Sequence, residues 1–481
     1  MFLKRVRSEG LAHISYFLES DGEAAVIDPR RDVDDYLLIA KERDARVVLV
    51  LETHRNEDYV SGALELANAT GAAIFHGDQL EFGYGNPLVD GQEFQLGDLT
   101  IRAMHTPGHT YESHCYLVSD DHGPFLLFSG DTMFSGDVGR TDLAGPENAR
   151  DLSEKLYDSL HKRIIPLGPE IMVLPAHGAG SVCGHTISER ETTTVGLEIR
   201  DDHALSLKKL DFMMAKMGEG MERPPYFARM EALNLNGPII FGTLPQPPPL
   251  SPTKVIEAQE NGALVLDVRE PHNFAAAHIP RSLNVWLNGL PVYGGYAIPY
   301  GRPLIIVAEG QQEVDTAVRY LIRIGYEDIV GHLVRGMESW IKGGNATSTI
   351  AASTVHDVRR RQLAGDEMLL VDLRDRRELV SGVIPGALQM HLGEIVERSS
   401  ELPANKEIVL FCGSGYRGGI AASMLRNNGI KNVRIMLGGF ASWKANGHPV
   451  EKLRSVLTSD KRSLPDGTSG PRARLSLPLL R

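Results

Sequence analysis

Imidazoles and carboxylates gather at the ends of apolar runs in the first part of this 481-residue chain. The run LVLET leads straight into His54-Arg55-Asn56-Glu57-Asp58-Tyr59. LTIRAMHTPG ends beside His109, PFLLFSGD ends at Asp131, and IMVLPAHG carries His177. These are donor types that hold zinc or first-row transition ions. Far downstream, the apolar run EIVLF (407–411) ends at Cys412-Gly413-Ser414-Gly415-Tyr416-Arg417, and a helix-like GGIAASMLRNNG follows. A short loop between a strand and a helix N-terminus turns its N–H groups toward a common centre and makes an anion nest. Such a nest favours a thiolate, so Cys412 reads as a nucleophile. Gly413, Ser414 and Gly415 are small enough for backbone and substrate to approach closely, with Tyr416 beside them. Arg417 reads as the cation that holds an anionic donor or acceptor.

The elements that must position these groups are legible as patterns. AAVID (24–28) and RVVLVLET (46–53) read as buried strands, each followed by a loop and a helix-like segment. The same βα alternation is expected to continue through 99–108, 124–131 and 171–178, with the polar groups at the strand carboxyl ends, where α/β proteins build sites. GTLPQPPPLSP (242–252) is too proline-rich for a helix or central strand and reads as a linker. Beyond it the chain repeats itself. Asp267 and Asp372, Arg269 and Arg374, and Pro280 and Pro385 stand 105 positions apart, and Trp340 and Trp443 stand 103 apart. That period is too long for a solenoid and signals two tandem copies of one domain. The expected organisation is a domain over 1–241, the linker, copies over 253–346 and 352–452, and a Gly/Pro/Ser/Arg-rich tail over 456–481 that reads as disordered.

Composition narrows the class. A formal net charge of −12 argues against non-specific nucleic-acid binding. No apolar run reaches signal-peptide or membrane-span length, so the expected compartment is the cytoplasm, without membrane contact. Cys115, Cys183 and Cys412 are too few and too scattered for a disulfide framework. Cys115, inside SHCYLV, reads as a packed core residue. His76, His105, His114 and His122 read as surface or hydrogen-bonded side chains.

The order His54…Asp58, His109, Asp131, His177, each after an apolar strand, resembles the metallo-β-lactamase superfamily over roughly residues 1–240. The superfamily motif H-x-H-x-D-H supplies two metals, and here Asn56 and Tyr59 stand at two of its imidazole positions. The resemblance implies that each metal position has lost a ligand, which disfavours a dinuclear zinc hydrolase. His54, His109 and Asp131 survive as a two-histidine, one-carboxylate set, which suits a single non-haem Fe(II) per chain. That resembles the persulfide dioxygenase branch, which implies oxidation of a low-molecular-weight thiol persulfide with O2 to sulfite and thiol. Asp58 and His177 are then expected to orient ligands or water, and Tyr59 either to do the same or simply to pack. Arg140 is placed toward a substrate carboxylate, with Asp142 as its competing partner, and Cys183, on a glycine-rich loop, reads either as handling persulfide sulfur or as a packed small residue.

The Cys412 loop, with VDLR (371–374), IPGA (384–387) and LGGFASWKANGHPV (437–450) around it, resembles rhodanese, and implies that Cys412 carries sulfur as a covalent persulfide. In the first copy the cysteine position is Ala308 and Glu313 stands where the arginine would be, so that copy is expected to be catalytically inert. The expected fold class is therefore α/β multidomain: a metallo-β-lactamase αββα sandwich followed by two rhodanese-like α/β domains. The expected partners are a thiol persulfide, O2, and sulfite or thiosulfate; oligomeric state, a homo-oligomer included, is left open. Two competing readings are a zinc-dependent thioester hydrolase resembling glyoxalase II and a non-catalytic sulfur carrier that uses only Cys412.

Overall fold

The computed structural model describes residues 1–190, 192–220 and 223–452; the expected tail over 456–481 lies outside them. The chain divides into two compact units, Met1–Ile350 with Ser423–Gly429, and Ala351–Ala422 with the residues from Ile430 onward.

In the first unit, strands Phe2–Ser8, His13–Ser20, Glu23–Ile27, Arg46–Leu51, Ala73–Gly77 and Asn86–Leu88 form one sheet in chain order. A second sheet holds Thr193–Thr194, Met172–Pro175, Gly123–Gly130, His114–Asp120, Leu99–His105 and Glu93–Leu96, in that spatial order. Alternation along the strands explains how they stack, because successive side chains point to opposite faces. Tyr16, Leu18, Ala25 and Ile27 face Ile101, Ala103, Tyr116, Val118 and Phe128 in a core between the sheets. The alternate residues Phe17, Ala24 and Val26 pack outward, with Tyr36 and Ala40 of helix Asp34–Arg43 and Ala63 and Leu66 of helix Ala63–Thr70. On the outer face of the second sheet, Leu117, Leu127 and Val173 meet Leu156 of helix Ala149–Ser159 and Phe212 of helix Lys209–Gly218. The result is an αββα sandwich. Cys115 is fully buried in that outer layer.

The expected βα alternation breaks after Ala73–Gly77 and returns between Gly123–Gly130 and Met172–Pro175, which pair in parallel with helix Ala149–Ser159 between them. Leu99–His105, His114–Asp120 and Gly123–Gly130 are antiparallel neighbours. The eight residues between the first two strands and the two between the last two leave no room for a crossover helix.

Two five-stranded parallel sheets follow, built alike. Pro249–Leu250, Ile329–Leu333, Leu304–Val307, Leu264–Asp267 and Leu283–Asn284 form one. Ala351–Thr354, Val433–Leu437, Glu407–Phe411, Met368–Asp372 and Leu388–Gln389 form the other. The repeated tryptophans occupy equivalent places: Trp340 donates to the Ala346 carbonyl and Trp443 to the Pro449 carbonyl, each at 2.9 Å. The proline-rich stretch expected to be linker throughout is partly built in. Pro249–Leu250 is an edge strand, where proline loses no ladder donor, and Ser251 caps a helix that starts at Pro252. Among the described residues, no helix is long and apolar enough to cross a membrane.

Within the first unit, the first rhodanese-like copy is joined to the sandwich by buried charge. Arg323, at the end of helix Gln311–Arg323, makes a two-point contact with Asp32 at 2.7 and 2.8 Å, and its carbonyl accepts the Val60 N–H at 2.7 Å. Arg31 reaches Glu327 at 2.9 Å. Val60, Leu143, Tyr226, Phe227 and Met230 form an apolar cluster against which Tyr296 and Tyr300 pack.

Candidate metal centre and sulfur-transfer loop

Strand Arg46–Leu51 carries the chain to His54 at the carboxyl end of the first sheet, and the loop that follows is clamped from distant sequence. Asn234 donates to the carbonyls of Asn56 and Tyr59 at 2.7 Å each and accepts from the Ser61 N–H at 2.9 Å. Glu112 accepts from the Arg55 N–H, and Arg323 holds Val60 as described.

His54, His109 and Asp131 come together fully buried. The Nε2 atoms of His54 and His109 lie 3.8 and 3.5 Å from Asp131 Oδ2. Each ring commits its other nitrogen elsewhere. His54 Nδ1 donates to Thr53 Oγ1 at 2.9 Å, and that hydroxyl in turn donates to Asp28; His109 Nδ1 donates to the Arg140 carbonyl at 3.0 Å. The tautomer with a bare Nε2 is thereby set in both rings. Neither Nε2 has a hydrogen-bond partner. A buried polar atom left in that state costs about 1–3 kcal/mol, and a bound cation satisfies both nitrogens and the carboxylate together. The donors that converge within 4.8 Å of one another are Glu57, His109, Asp131 and Cys183, with His54 Nε2 beside them 3.8 Å from Asp131, and these orphaned atoms fit a metal ion.

His177 differs. Its Nδ1 bonds Asp131 at 2.8 and 3.0 Å and its Nε2 bonds Asp58 at 3.1 Å, so neither ring nitrogen is bare. Burial disfavours its charged form, but Asp131 and Asp58 outweigh that and hold its pKa well above the ordinary value. Burial likewise pushes Asp131 up, and His177, then His54 and His109, bring it well below the usual carboxylate range. His54 goes the other way: burial lowers it to about 4 despite Asp131, which keeps its ring neutral and able to donate a lone pair. Tyr59 does not enter the donor cluster. Its ring packs on His13 at 3.9 Å, and burial raises its hydroxyl well above the ordinary value.

The remaining expected substrate residues land nearby. Arg140 is buried and lies on Asp142, at 2.6 and 3.0 Å, with the Val182 carbonyl as a further acceptor. Its guanidinium is thus taken up by its competing partner, and its carbonyl is what serves the site. Cys183 is fully buried, 3.3 Å from Glu57 Oε1. Burial, then Glu57, raises its thiol well above the ordinary value. Asp58, His177 and Cys183 form a second group of converging donors. A cavity of about 560 Å³, lined among others by Ser8, His13, Ser135, His177 and Gly178, reaches this region.

Four contributors were not legible from spacing. Glu57 sits among the donors, with Oε1 3.4 Å from His109 Nε2. His13 bridges Ser8 and the Asp28 carbonyl beneath Tyr59. Asn234 and Arg323 anchor the loop from more than 170 residues away. Glu57 was visible as an acidic residue inside the motif; the other three carry no local signal.

In the second unit, Cys412 follows strand Glu407–Phe411 and lies buried, with the Gly415 N–H 3.2 Å from its Sγ. Gly415 has φ +99°, and a side chain there would meet the Gly438 nitrogen at 2.9 Å, so only glycine closes the loop. Gly413 is half-buried, and Ser414 and Tyr416 are exposed. Arg417 makes a two-point pair with Glu378 at 2.6 and 2.7 Å, so its guanidinium braces the loop against a carboxylate. In the first copy, Ala308 occupies the Cys412 place: a Cβ on Gly336 would lie 2.3 Å from the Ala308 carbonyl oxygen, as one on Gly439 would from that of Cys412. Glu313, at the arginine place, caps its own helix by accepting the Gly310 N–H at 2.8 Å.

Comparison with known proteins agrees with this architecture. Residues 9–177 match the metallo-beta-lactamase superfamily, and residues 251–342 and 354–446 each match the rhodanese-like domain. The chain is a metallo-β-lactamase-fold domain followed by two rhodanese domains. A crystal structure described as a metallo-beta-lactamase from Staphylococcus aureus is 26% identical, covering 69% of this chain and 98% of its own, with a TM-score of 0.61. A probable metallo-hydrolase of Bacillus subtilis is 29% identical over 34% of this chain and 84% of its own length. A hydroxyacylglutathione hydrolase of Haemophilus influenzae is 25% identical over 40% of this chain and 92% of its own length. The superfamily implies a metal for the first domain, and a related Bacillus subtilis protein is described as a probable zinc-dependent hydrolase.

Proposed function

We propose that the first domain oxidises a low-molecular-weight thiol persulfide with O2 at a single Fe(II), and that Cys412 transfers sulfane sulfur to or from the products. The observation that carries the reading is the contrast among the three histidines. Two present bare Nε2 atoms to Asp131, while both nitrogens of the third are spent on carboxylates. One ion, not two, is what such a set asks for. Ferrous iron, when bound, supplies open coordination positions where O2 and a soft sulfur anion meet. The overall reaction balances as RSSH + O2 + H2O → RSH + sulfite + 2 H⁺, the outer sulfur giving up the four electrons that O2 takes.

The chain's own residues do the rest. Thr53 and the Arg140 carbonyl fix the two imidazole tautomers, and His177 holds the Asp131 carboxylate in place. The ionisable side chains of the site are buried, so charge there is felt strongly. At the second centre, the Cys412 Sγ attacks the sulfane sulfur of thiosulfate; the S–S bond breaks, sulfite leaves, and Cys412 becomes a persulfide. In reverse, sulfite made in the first domain takes the outer sulfur from that persulfide and leaves as thiosulfate, restoring the thiolate.

The test is anaerobic loading with iron, then oxygen-electrode assays over several thiol persulfides with sulfite and thiosulfate both measured. Oxygen uptake matched by sulfite supports the reading. Two tightly held zinc ions, with thioester hydrolysis and no oxygen uptake, would replace it with the hydrolase reading. That second reading draws on the Asp58–His177–Cys183 group and on the hydrolase names of the related proteins.

A further inference from the structure

We infer that Glu57 is itself a metal ligand, standing in for the imidazole that the motif lacks at Asn56. The inference rests on the first domain holding a metal, and not on which metal it is.

Glu57 is 1% exposed, and its Oε2 has no hydrogen-bond partner. A buried carboxylate oxygen left bare is expensive. The atoms around it are the donors already described. Oε1 lies 3.4 Å from His109 Nε2, and Oε2 lies 3.9 Å from His54 Nε2. Asp131 Oδ2 keeps nearly the same separations from those two nitrogens, 3.5 and 3.8 Å. Two donors each about 2.1 Å from one ion lie roughly 3.0–3.4 Å apart at octahedral to tetrahedral angles. Asp131 keeps those distances with one oxygen and Glu57 with two, one toward each histidine, and one ligand atom each from Glu57, His109, Asp131 and Cys183 all fall within 4.8 Å of one another.

Asn56 is the competitor for the place: its side-chain oxygen, like Glu57 Oε2, is buried without a hydrogen-bond partner, but it carries no charge to offset that of a cation. Its side-chain amide donates back to the His54 carbonyl at 3.2 Å, and its own carbonyl is clamped by Asn234. The loop that Asn234 and Arg323 pin down therefore turns the next residue inward. Two histidines and two carboxylates cancel the charge of a divalent ion. Four protein donors on a six-coordinate ion still leave two positions, enough for one gas molecule and one sulfur. The assignment also gives Cys183 a role: its thiol, 3.3 Å from Glu57 Oε1, donates to that carboxylate and steadies it.

The experiment uses the full chain, prepared metal-free, with Fe(II) and Co(II) titrated anaerobically against a competing chelator. Glu57→Gln keeps size and removes charge; Glu57→Asp keeps charge and shortens reach; Asn56→Ala tests the neighbour. Expected for Glu57→Gln is a fall in affinity of at least 100-fold, larger than the 10–100-fold of an outer-shell change. The visible spectrum of the Co(II) protein should change, and most of the metal-induced rise in melting temperature should be lost. Glu57→Asp should recover part of the affinity. Melting of the metal-free forms reads folding separately, and Glu57→Gln should melt no lower than the parent.

An unchanged affinity and Co(II) spectrum in Glu57→Gln overturns the inference and leaves Glu57 as a buried carboxylate beside His109 that binds no metal. Loss of metal in Asn56→Ala but not in Glu57→Gln overturns it in favour of the amide. A parent protein that takes zinc and no oxygen, yet loses that zinc in Glu57→Gln, upholds the inference while removing the dioxygenase reading. A parent that binds neither ion removes both.

Discussion

Replacing Arg323 with methionine cuts the charge pair that joins the first rhodanese-like domain to the metal domain. The Arg323 side chain is 2% exposed and that of Asp32 is fully buried. Removing one partner of a buried pair costs about 3–5 kcal/mol, because the other charge is left without compensation. Here Asp32 keeps Arg30 at 3.2 Å and Arg319 at 3.1 Å, so the expected cost is near the low end, about 3 kcal/mol. Methionine preserves the apolar stem, which confines the loss to the charge. Arg319→Met is the control: its side chain is 29% exposed, and less than about 1 kcal/mol should be lost. Two readouts apply. Urea unfolding gives the global change, and hydrogen exchange of the Val60 amide, which donates to the Arg323 carbonyl, gives the local one. The double variant Asp32→Asn, Arg323→Met should show a coupling of at least about 1 kcal/mol. A loss below about 1 kcal/mol for Arg323→Met, or strict additivity with Asp32→Asn, would refute the claim that this pair anchors the metal loop.

Further outcomes follow from the same contacts. Cys412→Ser should abolish sulfur transfer while persulfide-dependent oxygen uptake continues, and His54→Ala should do the reverse, with iron content measured in both. In Gly439→Ala the new Cβ meets the Cys412 carbonyl oxygen at 2.3 Å and the Gly415 nitrogen at 2.7 Å, at φ +55°. Loop displacement on that scale should lower sulfurtransferase kcat/KM about 100-fold, whereas Gly336→Ala, with the same clash at Ala308, should cost stability and no activity. His278, buried and stacked on Phe274 at 3.9 Å, has its pKa lowered to about 4, chiefly by burial. A depressed histidine adds stability above its unfolded value near 6.5 and loses it as pH falls toward 4. His278→Gln should therefore flatten the acid limb of stability between pH 6.5 and 4 by roughly 1–2 kcal/mol, discounted for partial solvent access; an unchanged slope in urea titrations would count against it.

Local pattern alone specifies a good deal here. Continuous apolar runs mark Glu23–Ile27 and Arg46–Leu51 as strands buried on both faces, successive residues packing into opposite cores. The repeat around Asp267 and Asp372 marked two copies of one domain, and the Cys412 loop announced itself through a strand, small residues and a helix start. The placing of His54, His109 and Asp131 after strands was equally local. What spacing could not say is which side chain of His54–Tyr59 turns inward. That depends on Asn234 holding two carbonyls, on Arg323 holding Val60, and on the Arg140 carbonyl fixing the His109 ring, contacts that no neighbouring residue encodes. For Arg140 the sequence offered a substrate carboxylate and Asp142 alike, and only the fold placed it on Asp142. Elements follow from short-range sequence because backbone geometry is short-range. The direction of a buried donor is decided by partners tens to more than two hundred residues away, and only the folded chain brings them within hydrogen-bond reach.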